Sequence, residues 1–193
     1  MMIEPERQLD RAYVASSVRL ADAVVAGLAW ALAHAHRGPV VVCAPDLKSL
    51  AKAEEIGPAT ALLVVGAHSG LTPWISAFRP ECVGGTVIPV NDRVVSDPAV
   101  WAAMESLTDV IDSGTGLAHP ADRIWVTEGL LELSSSGHAF DPDELMAAAF
   151  SLNWRGTAAW DLRVLARQLN AQLKSSSASA KSLRKHPQQR RSD

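Results

Sequence analysis

Three uninterrupted apolar runs, Val40-Val41-Val42-Cys43, Ala61-Leu62-Leu63-Val64-Val65 and Thr86-Val87-Ile88-Pro89-Val90, recur at near-regular intervals with helix-like segments between them. Short strands without polar alternation are what a parallel sheet requires when both faces are covered, because neither face of such a strand meets water. The helical segments between the runs supply the long crossovers that parallel neighbours need.

Carried along the chain, that rhythm gives an element order. Residues 6–36 read as one long helix, with Leu9, Val14, Val18, Ala21, Val25, Leu28 and Leu32 three to five apart near one face, ended by Gly38-Pro39. Strand 39–44 is followed by Asp46, suited to cap a helix over 46–56 that stops at Gly57-Pro58. Strand 60–65 leads through residues 66–71 to Thr72-Pro73, expected as N-cap and first position of a short helix through Phe78. After strand 85–90, Asp97-Pro98 opens a helix with Val100, Met104, Leu107 and Ile111 at helical spacing. A fourth strand is expected over residues 123–127. Asp141-Pro142 opens a helix over 142–154, and Gly156-Thr157 separates it from a last helix over 158–173. The expected fold class is α/β: a Rossmann-like three-layer domain with a mostly parallel sheet of about four strands, a long N-terminal helix and a C-terminal helical hairpin, all within one domain over 1–173. Five of the six tryptophans (Trp30, Trp74, Trp101, Trp154 and Trp160) lie in or beside expected helices and read mainly as packing residues.

An apolar fraction of 48% against 20% charged residues excludes a wholly disordered chain. The start of the chain carries Glu4, Glu6, Arg7 and Asp10, the wrong chemistry for a secretory leader. The longest uncharged apolar run, 23–33, is well short of the ~20 residues a bilayer span needs, so a cytoplasmic location without membrane contact is expected. Cys43 and Cys82 make neither a disulfide framework nor a zinc signature and read as buried, inert thiols. Charge is segregated. Residues 174–193 hold six basic side chains (Lys174, Lys181, Arg184, Lys185, Arg190, Arg191) and one acidic, leaving twelve basic and twenty acidic in the rest. Rich in Ser, with Pro187 and almost no large apolar residue, this segment is expected to be a disordered basic tail open to protein or nucleic-acid contact.

In an open parallel sheet, ligands sit beyond the carboxyl ends of the strands. The candidate binding residues are therefore those that follow each expected strand: Gly66, His68, Ser69, Gly70, Thr72, Asn91, Asp92, Thr127 and Glu128. The loop 66–72 leads them, since two glycines, a serine and a threonine ahead of a helix expose backbone N–H groups that suit phosphate or carboxylate. The function expected from this edge is binding of a small anionic ligand, a nucleotide included. No cofactor is specified: the loop matches neither G-x-G-x-x-G nor the G-x-x-x-x-G-K-[ST] pattern, and no histidine has metal-ligand spacing.

Two alternatives belong to other classes. One is a non-catalytic interaction protein that docks a partner through its basic tail or its helices. The other is a metal-assisted phosphoester hydrolase using Asp46, Asp92 and Glu128, because hard divalent cations prefer carboxylate oxygen. A helix-turn-helix reading of the last two helices would send Arg163, Arg167 and Asn170 to a nucleic-acid groove. A terminal helical hairpin packed by one apolar stripe explains the same pattern.

Overall fold

A computed structural model describes residues 10–15, 38–43, 45–56, 59–66, 70–82, 93–112 and 115–184. Four parallel strands form one sheet in the order β2-β3-β1-β4. They are β1 (Asp10–Ala15), β2 (Gly38–Cys43), β3 (Ala59–Gly66) and β4, which contributes only Glu81–Cys82. β3 is central, with Val64 opposite Tyr13 of β1 and Val42 of β2. The helices are α1 (Leu47–Ala53), α2 (Thr72–Phe78), α3 (Pro98–Val110), α4 (Pro120–Ser135), α5 (Pro142–Ser151) and α6 (Gly156–Arg184), with a 3₁₀ turn at Gly116–Ala118.

The pleat sends alternate residues to opposite faces, and burial follows that period. Val40, Val42, Leu62 and Val64 are buried toward the helices, whereas Val41 is 56% exposed and Leu63 and Val65 are half-buried.

The expected Rossmann-like three-layer domain is not what the chain forms. Most of the described residues are helical, and the larger part of the core is helix on helix: α5 packs against α6 and α2, and α3 against α4. Residues 123–127, expected as the fourth strand, lie inside α4. The apolar run there is compatible with either period. Val126, Leu130 and Leu133, buried at helical spacing with Pro120 in the first turn, decide for helix. The helix expected over 6–36 is also corrected, because residues 10–15 form β1 and pair with β3 and β4. Residues 6–9 and 16–36 of that expected helix, and the strand expected over 85–90, lie outside the described residues. α6 does not stop at Leu173. It runs through Arg184, since no glycine or proline interrupts the sequence before Pro187. The tail expected to be disordered is thus helical over 174–184, and 185–193 lie outside the described residues.

α5 is the hub of the core, with Leu145 to Phe150 buried without a break, as befits a helix surrounded on all sides. Trp74 of α2 is fully buried beside it, its ring edge-on to Phe78 and its Nε1–H bonded to the Glu54 carboxylate. Asp46, Asp97 and Asp141 cap α1, α3 and α5, accepting from the backbone N–H groups of Ser49, Ala99 and both Asp143 and Glu144 respectively. Thr72 is not a cap. Leu71 holds that position without a side-chain bond, and Thr72 and Pro73 are the first two helical residues.

α6 is seated by two close backbone approaches. A Cβ on Gly156 would lie 1.7 Å from the carbonyl oxygen of Ala51 in α1, and one on Gly116 would lie 2.2 Å from Cβ of Ala158. Glu55, just after α1, accepts from both the backbone N–H and the hydroxyl of Thr157 in the first turn of α6. A carboxylate there meets the positive end of the helix dipole. No helix among the described residues is long and apolar enough to cross a membrane.

Candidate interaction surface

The structure does not gather the residues singled out by sequence into one edge. Gly66 is buried at the end of β3, while Gly70, on the connection to α2, and Thr72, the first residue of α2, are exposed. His68, Ser69, Asn91 and Asp92 lie outside the described residues. Thr127 and Glu128 follow no strand: both lie within α4, where the Thr127 hydroxyl donates to the Arg123 carbonyl one turn back. A Cβ on Gly70 would meet nothing within 4 Å, so no close backbone approach requires glycine there. Asp46 is occupied as the cap of α1. The Ser49 hydroxyl and then the Ser49 backbone N–H hold its carboxyl below the ordinary carboxylate range. Among the described residues, no three His, Cys, Asp or Glu side chains are placed to hold a metal ion.

The groups proposed for a nucleic-acid groove each have a partner within the molecule, and only Arg163 is buried. Arg163 is buried, its Nε bonded to Asp143 at 2.6 Å and its guanidinium 5.2 Å from the Trp160 ring centre. Arg167 reaches the same carboxylate at 3.5 Å, and Asn170 donates to the Phe140 carbonyl at 3.2 Å.

The surface that stands out lies between α3 and α4. These helices cross tightly where a Cβ on Gly129 would press on Leu107 at 3.2 Å. Above that floor they part to leave a groove of about 480 Å³. Ala103, Ser106 and Leu107 form its α3 wall, and Trp125, Glu128 and Glu132 its α4 wall. Spacings of three, four and seven place those three α4 residues on one side of the helix. Trp125 is 48% exposed, and Ile124 and Leu131, flanking Glu128 on the outward side of α4, are also exposed. The sequence expectation for 123–127 as a buried strand hid this face. Read as a helix, α4 carries apolar residues on its outer side as well as its inner one, and that excess was the available signal.

His138, on the α4–α5 connection, lines one end of the groove. Its Nδ1 sits 2.7 Å from Oδ2 of Asp97, while Asp97 Oδ1 accepts from the Ala99 N–H at 2.8 Å. Glu144 reinforces the same corner by accepting from the backbone and hydroxyl of Ser96. The bond to His138, and after it the Ala99 N–H, hold the Asp97 carboxyl below the ordinary carboxylate range. A carboxyl depressed in the folded state contributes stability that is fully present above the unfolded value, about pH 4, and is lost as the pH falls through the folded value. Melting temperature is therefore expected to drop as pH falls below about 4, with Asp97 and Asp46 both contributing. Asp97→Asn should melt lower at neutral pH and fall less steeply in acid. Parallel acid limbs for parent and variant would contradict the assignment.

Residues 96–191 match the model of a family described as a domain of unknown function, DUF1889. No curated protein and no solved structure shows significant similarity to the chain. The match spans a little under half of the 193 residues, opening at the Ser96–Asp97 corner and taking in α3 to α6 with the basic segment. The expectation of a Rossmann-like nucleotide-binding domain is overturned by the mostly helical fold, and the matched family carries no nucleotide function in its description.

Proposed function

We propose that this chain is an interaction module that holds a basic, partly apolar peptide segment in the groove between α3 and α4. The carrying observation is the placement of exposed apolar side chains. Of the five large ones exposed among the described residues, three (Ile124, Trp125 and Leu131) lie on α4, beside Glu128 and Glu132. Isolated exposed leucines are ordinary, but an indole and two aliphatic side chains on one helix mark a surface that another molecule covers. The carboxylates set the sign of that molecule. A lysine or arginine entering the groove meets two acidic groups and an aromatic face, and its aliphatic stem covers Leu107 or Ala103. A small anion at the sheet edge is less well supported, because the Asp46 carboxylate stands there and α2 is short and uncapped by any side chain.

The test is fluorescence anisotropy of a labelled peptide of alternating arginine and leucine, titrated with the full chain at low salt. Saturable binding that weakens with added salt is expected. Trp125→Ala should weaken it about tenfold, a loss of ~1.4 kcal/mol. Equal affinity in Trp125→Ala and in Glu128→Gln/Glu132→Gln, or tighter binding of a glutamate–leucine peptide, would remove the groove from consideration.

A further inference from the structure

We infer that the groove's occupant is the basic C-terminal segment of a second copy of this chain, so that two copies associate about a two-fold axis with their tails exchanged. The inference rests on the groove reading above and names its partner.

Charge complementarity is the first support. Glu128 and Glu132 face the groove, and residues 181–191 of the same sequence carry Lys181, Arg184, Lys185, Arg190 and Arg191 with no acidic residue among them. The molecule thus holds both halves of a salt-sensitive joint, an acidic body and a basic end.

Geometry then separates a second copy from the same copy. α6 runs beside α4 in the same direction. Ala158 packs at Gly116, just before α4 begins, and Asn170 bonds to Phe140, just after α4 has ended. Beyond Asn170 the helix continues to Arg184, carrying the backbone about 21 Å further from the His138 end of the groove. Trp125 lies about 16 Å in the opposite direction along α4. Residues 185–191, even fully extended, span at most about 24 Å, so they cannot return to the Trp125 end of their own groove. A second copy placed antiparallel has no such constraint. Its α6 approaches over the His138 end of the groove with its basic segment directed toward Trp125, and two-fold symmetry makes both joints at once. The family match covers the groove helices and the basic segment as one unit, 96–191.

The decisive experiment is sedimentation velocity on the full chain with reciprocal charge reversal. The parent is expected to be a dimer at about 30 mM salt and to dissociate at about 0.5 M, where screening is strong. Glu128→Lys/Glu132→Lys reverses the groove, and Lys185→Glu/Arg190→Glu/Arg191→Glu reverses the tail. Each variant alone should be monomeric at low salt. Mixed one to one they should dimerise, because a mixed pair matches a basic groove with an acidic tail and an acidic groove with a basic tail. Glu128 and Glu132 are exposed, so unchanged melting curves verify that both variants fold. A parent that is monomeric at every salt concentration, a dimer indifferent to both reversals, or a mixture that stays monomeric would overturn the inference. The arginine–leucine peptide keeps the two readings apart. If the parent is monomeric yet binds that peptide through Trp125, the groove reading stands and the second copy is not its occupant.

Discussion

Gly156→Val is expected to leave little or no folded protein. The first residue of α6 sits against the backbone of α1, where a Cβ would lie 1.7 Å from the Ala51 carbonyl oxygen and 2.6 Å from its carbonyl carbon. A flexible side chain could swing aside, but a carbonyl fixed in a helix cannot. Relief requires α6 to move away from α1, which would uncover the buried Leu50, Ala51, Ala158 and Ala159 and break the Glu55–Thr157 bonds. Overpacking of a core commonly costs about 1–3 kcal/mol, and a rigid backbone contact belongs at or above the top of that range. Circular dichroism should report a melting temperature lowered by about 10 °C or more, or no cooperative transition. Gly156→Ala adds the same Cβ and should lie close behind, whereas Gly137→Ala, with open space around it but a positive φ, should cost much less. A Gly156→Ala protein as stable as the parent would show that the α1–α6 approach is looser than described.

Trp74→Ala is the second large effect. Trp74 has no exposed surface, its ring meets Phe78, and Phe78 in turn meets Phe150 on α5. Truncation to alanine empties a fully buried site, removes the ring that Phe78 packs on and deprives the Glu54 carboxylate of its indole donor. Large aromatic truncations cost about 3–5 kcal/mol. Urea unfolding should give a midpoint displaced accordingly with an unchanged slope. Trp74→Phe, which keeps the ring but loses the hydrogen bond, should recover more than half of the deficit. A small loss in Trp74→Ala would mean that neighbouring side chains close the cavity.

Local features were legible in the sequence. Asp46, Asp97 and Asp141 were readable as caps because the N–H groups they satisfy lie two or three residues away. Short-range chemistry of this kind does not depend on the rest of the fold. The assignment of residues 123–127 failed for the opposite reason. Arg-Ile-Trp-Val-Thr is apolar and β-branched enough for a strand, and the helix is selected by burial of Val126, Leu130 and Leu133 at helical spacing, beyond the reach of a five-residue reading. Residues 10–15 failed likewise: the helical spacing of Leu9, Val14 and Val18 is real, but pairing with β3 and β4 decides the conformation. The candidate site was legible only in part. Glu128 was singled out as the residue after a strand and instead lines a groove between helices. Trp125, which fell in the expected strand, is the most informative side chain of that surface.

The bond between Glu55 and Thr157 spans 102 positions of the chain. During synthesis from the N-terminus, α1 is complete long before Gly156 and Thr157 emerge. Until then the face of α1 that receives α6 has nothing to cover it, and Leu50 and Ala51 stay in contact with water. The stretch after residue 97 is different, since α3 with α4 and α5 with α6 pair as neighbours and need only short loops to close. Local pairing in the later half is therefore expected to precede its closure over the earlier one, the reverse of the order of synthesis, an order that pulsed amide exchange during refolding would read. An incomplete chain ending before residue 156 would carry a sticky, unfinished surface, and the folded protein exists only once the far end has come back to it.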